Sequence, residues 1–201
     1  MSTHITESAP AAVAAKPVPF GDPAALGLAA FAMTTFVLSA INAGWLPADV
    51  TPVVFGLAMF YGGVGQVIAG VWEFANHNTF GAVAFSSYGL FWLSFWYLNT
   101  ATKLGSDATK GVGLYLLAWA IFTCYMMIAA WRTNIVVFLV FVALTLTFLA
   151  LMLGAWIAAS PWNYVGGYLG LITALLAWYG SFATVTNFTF KRTVLPLGVR
   201  A

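Results

Sequence analysis

YGGVGQVIAGVWEFANHNTFGAVAFSSYGLFW, residues 61–92, is two apolar runs joined at a short polar knot, Glu73-Phe74-Ala75-Asn76-His77-Asn78-Thr79. The runs are too apolar to face water. Yet they carry Gln66, Glu73, Asn78, Ser86, Ser87 and Tyr88, groups that are costly to leave unpaired in hydrocarbon. The whole chain has the same character. Its 201 residues are 62% hydrophobic and 6% charged, with a mean hydropathy of +0.94. A soluble domain carries about 25% charged residues. This chain cannot solvate its own surface, which predicts an all-α integral membrane protein with a single embedded bundle.

Outward from the knot, six segments have the ~20-residue length that a ~30 Å hydrocarbon core demands. They run Ala24 to Gly44, Thr51 to Phe74, Thr79 to Leu98, Gly113 to Trp131, Ile135 to Ala159 and Tyr164 to Asn187. Asp22-Pro23 and Thr51-Pro52 read as helix starts, an acceptor before a first-turn Pro. Ser160-Pro161 reads as a break. The connections are short, so consecutive helices should be antiparallel neighbours. Residues 1–21 read as a disordered tail, 22–190 as the six-helix domain and 191–201 as a C-terminal tail. With six spans both termini share one side. That side collects Lys16, Arg132, Lys191, Arg192 and Arg200 against Lys103 and Lys110 opposite. The bias predicts cytoplasmic termini and a cytoplasmic knot. A short chain without a targeting signal fits a prokaryotic inner membrane.

Small residues mark close helix contacts: Gly62, Gly63, Gly65 and Gly70 in the second segment, Gly166 and Gly170 in the sixth. Polar residues align on helix faces. Phe31, Thr34, Thr35, Leu38 and Asn42 share one face, and Gly62, Gln66 and Glu73 another. Ser87, Tyr88, Phe91 and Trp92 cluster on the third segment, and Leu144, Thr145, Phe148 and Leu151 on the fifth. Two readings are open. One is interhelical glue at roughly 0.6 kcal/mol per hydrogen bond. The other is a polar path whose hydroxyls and amides replace part of a small anion's hydration without trapping it. Glu73 reads either as a carboxylate at a helix end paired with His77 or water, or as a gate or proton relay. Cys124 reads as a small buried hydrophobe.

Enzyme chemistry finds no constellation. There is no GxSxG, P-loop or HExxH, and no second His beside Cys124. Two His and one Cys lie too far apart for a metal site, no cofactor is implied, and no basic stripe points to nucleic acid.

Four blocks resemble the acetate uptake transporter family. Asp22-Pro23-Ala24-Ala25-Leu26-Gly27-Leu28 is similar to its Asn-Pro-Ala-Pro-Leu-Gly-Leu signature, followed by Phe31, Met33, Thr34, Thr35 and Asn42. Phe60-Tyr61-Gly62-Gly63, Gln66, Gly70 and Glu73 lead into Asn78-Thr79-Phe80-Gly81, Ser87-Tyr88-Gly89 and Phe91-Trp92. Arg192-Thr193-Val194-Leu195-Pro196-Leu197-Gly198 resembles the family's ending. The resemblance implies six helices per protomer, homohexamers in the lipid membrane, and a path for acetate, and in some members succinate, through each protomer. It implies a constriction at Phe31, Tyr88 and Leu144, with Thr34, Thr35, Asn42, Gln66 and Ser87 as substrate contacts. Asp22 replaces the signature Asn, Ala25 its second Pro, and Thr184 an acidic residue late in the sixth helix. The expected function is transport of acetate and related short carboxylates, as an anion channel or a proton-coupled symporter. The competing reading is a membrane scaffold or sensor of acid or ammonium status.

Overall fold

The structure, a computed structural model, describes residues 21–157 and 161–199. The expected N-terminal tail over residues 1–20, with Lys16, lies outside those residues, as do Ala159, Ser160 and Arg200. Six helices run in succession: α1 Ala24–Asn42, α2 Ala48–Ala75, α3 Thr79–Thr100, α4 Ala108–Ala130, α5 Ile135–Trp156 and α6 Trp162–Phe190. Among the described residues there is no strand, only an isolated bridge between Asn134 and Val199.

Among the described residues, five helices are long and apolar enough to cross a membrane. The third, α3, was expected to match them and falls short on composition. It has no charged residue, but Ser86, Ser87, Ser94, Asn99 and its Tyr and Trp side chains dilute its hydropathy. The remaining departures are at helix ends. α4 starts five residues before the expected Gly113, because Ala108 to Val112 wind a polar first turn carrying an Asp107–Lys110 ion pair of 2.8 Å. α6 extends three residues past Asn187 and closes at Lys191, whose φ is 53°.

Local chemistry explains several of the ends. α1 stops at Gly44 (φ 76°), where the Gly44 and Trp45 N–H groups return to the Ile41 and Ala40 carbonyls. Asp22 Oδ1 accepts the Ala24 N–H at 2.9 Å, so its carboxylate turns toward the positive end of α1. Thr51 does not cap α2. Its hydroxyl donates back to the Ala48 carbonyl at 2.6 Å, at the end of the 3-10 turn that opens α2. Asn78 and Asn134 cap α3 and α5 by accepting the Gly81 and Val137 N–H groups.

The helices close a ring in chain order, with α6 returning to α1. Close backbone approach holds α2 to α3. A Cβ on Gly70 would fall on the Ser86 N and Oγ, and one on Gly89 would lie 2.8 Å from the Val67 N. The α3–α4 seam differs: few backbone positions approach, and Tyr88, Phe91, Tyr115, Trp119 and Phe122 fill it with rings. The outer surface is apolar, with Phe60, Ile121, Ile128, Phe182 and Phe188 exposed, as lipid contact requires. Cys124 lies on this surface rather than in the core, because its face of α4 points outward.

α2 contains a π-helical stretch, Leu57–Gly65, between α-helical turns. Gly62 and Gly63 lie inside it, packed on Thr34 of α1 and Leu93 of α3. Wider winding changes the phase of the helical turns beyond it, and such insertions recur at functional sites. The first residue after the stretch is Gln66.

The C-terminal segment folds back under the bundle. Asn187 Oδ1 accepts the Val194 and Leu195 N–H groups, and its Nδ2 donates to the Leu195 carbonyl at 2.8 Å. Tyr179 donates to the Pro196 carbonyl, and the Ile135 N–H donates to the Gly198 carbonyl at 2.9 Å. The last bond satisfies one of the free donors at the start of α5.

Candidate functional site

Three cavities line up through the ring. The one beside the knot holds about 230 Å³ and is bounded by Asp22, Asn76, Asn78, Asn134, Thr184 and Leu197, with apolar residues between them. The far one holds about 530 Å³ and carries Asn42, Asn99, Thr109, Tyr115 and Asn163 on an aromatic wall. Between them lies a cavity of about 20 Å³, lined by Leu28, Phe31, Gln66, Ala84, Phe85, Tyr88, Val140, Phe141 and Leu144. A water needs roughly 10–15 Å³ of such space, so the waist admits about one. The waist shares Leu28, Ala84, Phe85, Val140 and Phe141 with the knot-side cavity. One helical turn beyond Tyr88 and Leu144, Phe91 and Phe148 begin the far one. The shape is an hourglass.

The waist brings together Phe31, Tyr88 and Leu144, from α1, α3 and α5, with Gln66 from α2. All four are buried. The Phe31 and Tyr88 ring centroids are 5.8 Å apart, and Phe141 stands 6.0 Å from Tyr88. Phe141 was not singled out from sequence. Its signal was available: Phe141, Leu144 and Phe148 are spaced 3 and 4, one face of α5. The Tyr88 hydroxyl points away from the waist. It lies 2.9 Å from Thr123 Oγ1 on α4, which donates its own proton to the Trp119 carbonyl. Tyr88 is therefore the donor of that pair, and its ring, not its hydroxyl, faces the opening.

The polar candidates divide. Gln66 is fully buried, and its Oε1 has no hydrogen-bond partner. Asn42 lines the far cavity. Thr34 packs against Gly62 and donates to the Ala30 carbonyl at 3.0 Å, so it serves the α1–α2 contact. Thr35 is buried with its hydroxyl unpartnered, Ser87 is half-buried, and neither lines these three cavities.

Glu73 is fully buried at the knot. Its Oε2 accepts from Asn78 Nδ2 at 3.0 Å and Asn76 Nδ2 at 3.4 Å, while Oε1 has no partner. His77 is not its partner. His77 is exposed with φ 57°, a turn conformation that directs it outward. Asn78 bridges from Glu73 to the Gly81 N–H, so the carboxylate, its amide brace and the start of α3 form one unit. Asn76 and Asn78 present the other side of this unit to the knot-side cavity.

Known proteins are similar to most of this chain. "Accumulation of dyads protein 2" of Saccharomyces cerevisiae is 46% identical over 176 residues, 84% of this chain and 62% of that protein. The chain thus spans less than two thirds of this yeast relative's length. The "Succinate-acetate/proton symporter SatP" of Escherichia coli K12 is 38% identical over 180 residues, 88% of this chain and 95% of that protein. A solved structure described as the bacterial acetate channel SatP superposes with a TM-score of 0.83 at 34% identity, covering 89% of this chain and 99% of that one. With its apolar helices, the chain is a multi-pass integral membrane protein. The model of the GPR1/FUN34/yaaH family, the acetate uptake transporters, matches residues 6–198, and the chain belongs to that family.

Proposed function

We propose that this protein moves acetate and related short carboxylates across the membrane through the hourglass in each protomer. The observation that carries this is the convergence of Phe31, Tyr88 and Leu144 on one waist between two larger cavities. The names of its relatives, a succinate-acetate/proton symporter and an acetate channel, support the substrate class. Apolar rings at the waist exclude hydrated ions, and the asparagines and threonines of both cavities replace water before and after it. Among the described residues, neither cavity wall carries a Lys or Arg that would trap an anion. Glu73 is the candidate gate at the knot-side mouth, where it sets the position of Asn76 and Asn78. All six helices span, with both termini and the knot on the cytoplasmic side, residues 191–201 in the cytoplasm, and the protomers form a homohexamer in a prokaryotic inner membrane.

The test is labelled-acetate uptake into proteoliposomes, corrected for protein-free vesicles. Wild type should exceed that background, and Phe31→Ala should change the rate by several-fold while the protein elutes and melts as a folded assembly. Wild-type uptake equal to background would hand the function to a scaffold or sensor, while unaltered uptake in Phe31→Ala would remove the waist from the path.

A further inference from the structure

One seam of the helix ring is unlike the others. α3 and α4 meet through rings rather than through close backbone approach, and at the end away from the knot they part. A groove of about 620 Å³ lies there, with Tyr97, Leu98, Leu104, Gly111, Val112 and Tyr115 among its lining residues. Leu98, Val112 and Tyr115 also wall the far cavity, so the groove is the outer side of that wall. Its hydroxyls are already satisfied. Those of Ser94 and Tyr115 lie 2.6 Å apart and both reach the Phe91 carbonyl, at 2.8 and 3.3 Å. Thr102 donates to the Leu98 carbonyl at 2.6 Å. An apolar chain laid along the groove strands none of these three. From Ala108 to Tyr115 the groove follows two turns of α4, about 10 Å, against about 15 Å for half of a ~30 Å hydrocarbon core.

The mouth of the groove is charged. Lys103 and Lys110 are the cations at this end of the ring, and both flank it: Thr102 and Leu104 line the groove on either side of Lys103, and Asp107, Ala108 and Gly111 surround Lys110. Asp107 is the carboxylate there, and it holds Lys110 at 2.8 Å, so those two charges cancel. Lys103 is exposed and, among the described residues, forms no ion pair. The first turn of α4 adds N–H groups that no side chain caps. We propose that this seam seats an anionic phospholipid of the leaflet opposite the knot, with one acyl chain in the groove and its phosphate at Lys103. A phospholipid has this shape of chemistry, an apolar chain ending in a negative charge at the water boundary. A soluble anion would meet Lys103 but leave the groove unfilled. A peptide would bring backbone N–H and C=O groups that the satisfied hydroxyls cannot pair. Exposed Tyr97 stands at the same level, where amphipathic rings gather in membranes. The seated chain closes the outer side of a seam whose inner side is the far cavity, whether or not acetate crosses the waist.

The experiment titrates the full chain, purified in detergent, with phosphatidylglycerol or with phosphatidylcholine of the same acyl chains, and reads bound lipid and oligomeric mass by native mass spectrometry. A Cβ on Gly111 meets nothing within 4 Å, so Gly111→Leu fills the groove without displacing the protein; Gly56 of α2 is equally open and exposed, and Gly56→Leu is the control. Wild type should take its first lipid per protomer at a lower concentration of phosphatidylglycerol than of phosphatidylcholine. Lys103→Glu should raise the phosphatidylglycerol concentration for half occupancy about thirtyfold, and Gly111→Leu at least about tenfold. Gly56→Leu should match wild type, and all three variants should keep the wild-type melting temperature and oligomeric mass. Equal affinity for the two lipids in wild type, or wild-type affinity in either groove variant, overturns the inference. A smaller assembly in Gly111→Leu with lipid binding unchanged gives the groove to a second copy of the chain and overturns it as well.

Discussion

Replacing Tyr88 by Phe removes one oxygen and keeps the ring. In the folded protein that oxygen donates to Thr123 Oγ1 at 2.9 Å, while Thr123 donates onward to the Trp119 carbonyl at 2.7 Å. The variant therefore strands no donor: Thr123 keeps its bond and loses only a proton it was accepting. Interhelical hydrogen bonds of this kind average about 0.6 kcal/mol, which predicts a melting shift of about 2 °C for a chain of this size. The ring contacts with Phe31, Phe122 and Phe141 persist, so the waist keeps its width. Acetate flux in proteoliposomes should then stay within about twofold of wild type. The contrary view has the hydroxyl gripping the substrate's carboxyl group. Loss of a hydrogen bond to a charged partner costs about 1.5–3 kcal/mol, or roughly 10- to 150-fold in rate. A tenfold loss of flux in a Tyr88→Phe protein that melts normally would refute the assignment of this hydroxyl to Thr123.

Three further outcomes rest on the packing. Gly70→Ala drives a methyl into the Ser86 backbone, so α2 and α3 must part; a loss of about 1–3 kcal/mol is expected, and an unchanged melting curve would contradict that contact. Asn187→Ala removes three bonds to Val194 and Leu195. Amide exchange over residues 193–198 should accelerate ten- to a hundredfold, in line with about 1–3 kcal/mol of local stability, and unchanged protection would show that the C-terminal segment is held otherwise. Glu73→Gln keeps a carbonyl acceptor for Asn78 Nδ2, so the pH profile of acetate uptake should match wild type, whereas a flattened profile would make Glu73 a proton carrier.

Much of this architecture was legible because lipid imposes simple rules. Length and hydropathy identified the segments. Face periodicity placed Phe31, Gln66, Tyr88 and Leu144 on their helices, although only the resemblance to a family gathered the rings of three helices into one constriction. Other features depend on contacts between residues far apart in sequence. Nothing in Leu57 to Gly65 signals π winding, within which Gly62 and Gly63 fit against α1 and α3. The clasp of Asn187 on Leu195, and the seating of Leu197 in the knot-side cavity, depend on the segment folding back. His77 was the obvious partner for Glu73 by charge. The left-handed turn at His77 instead gave that place to two asparagines that sequence treats as ordinary loop residues.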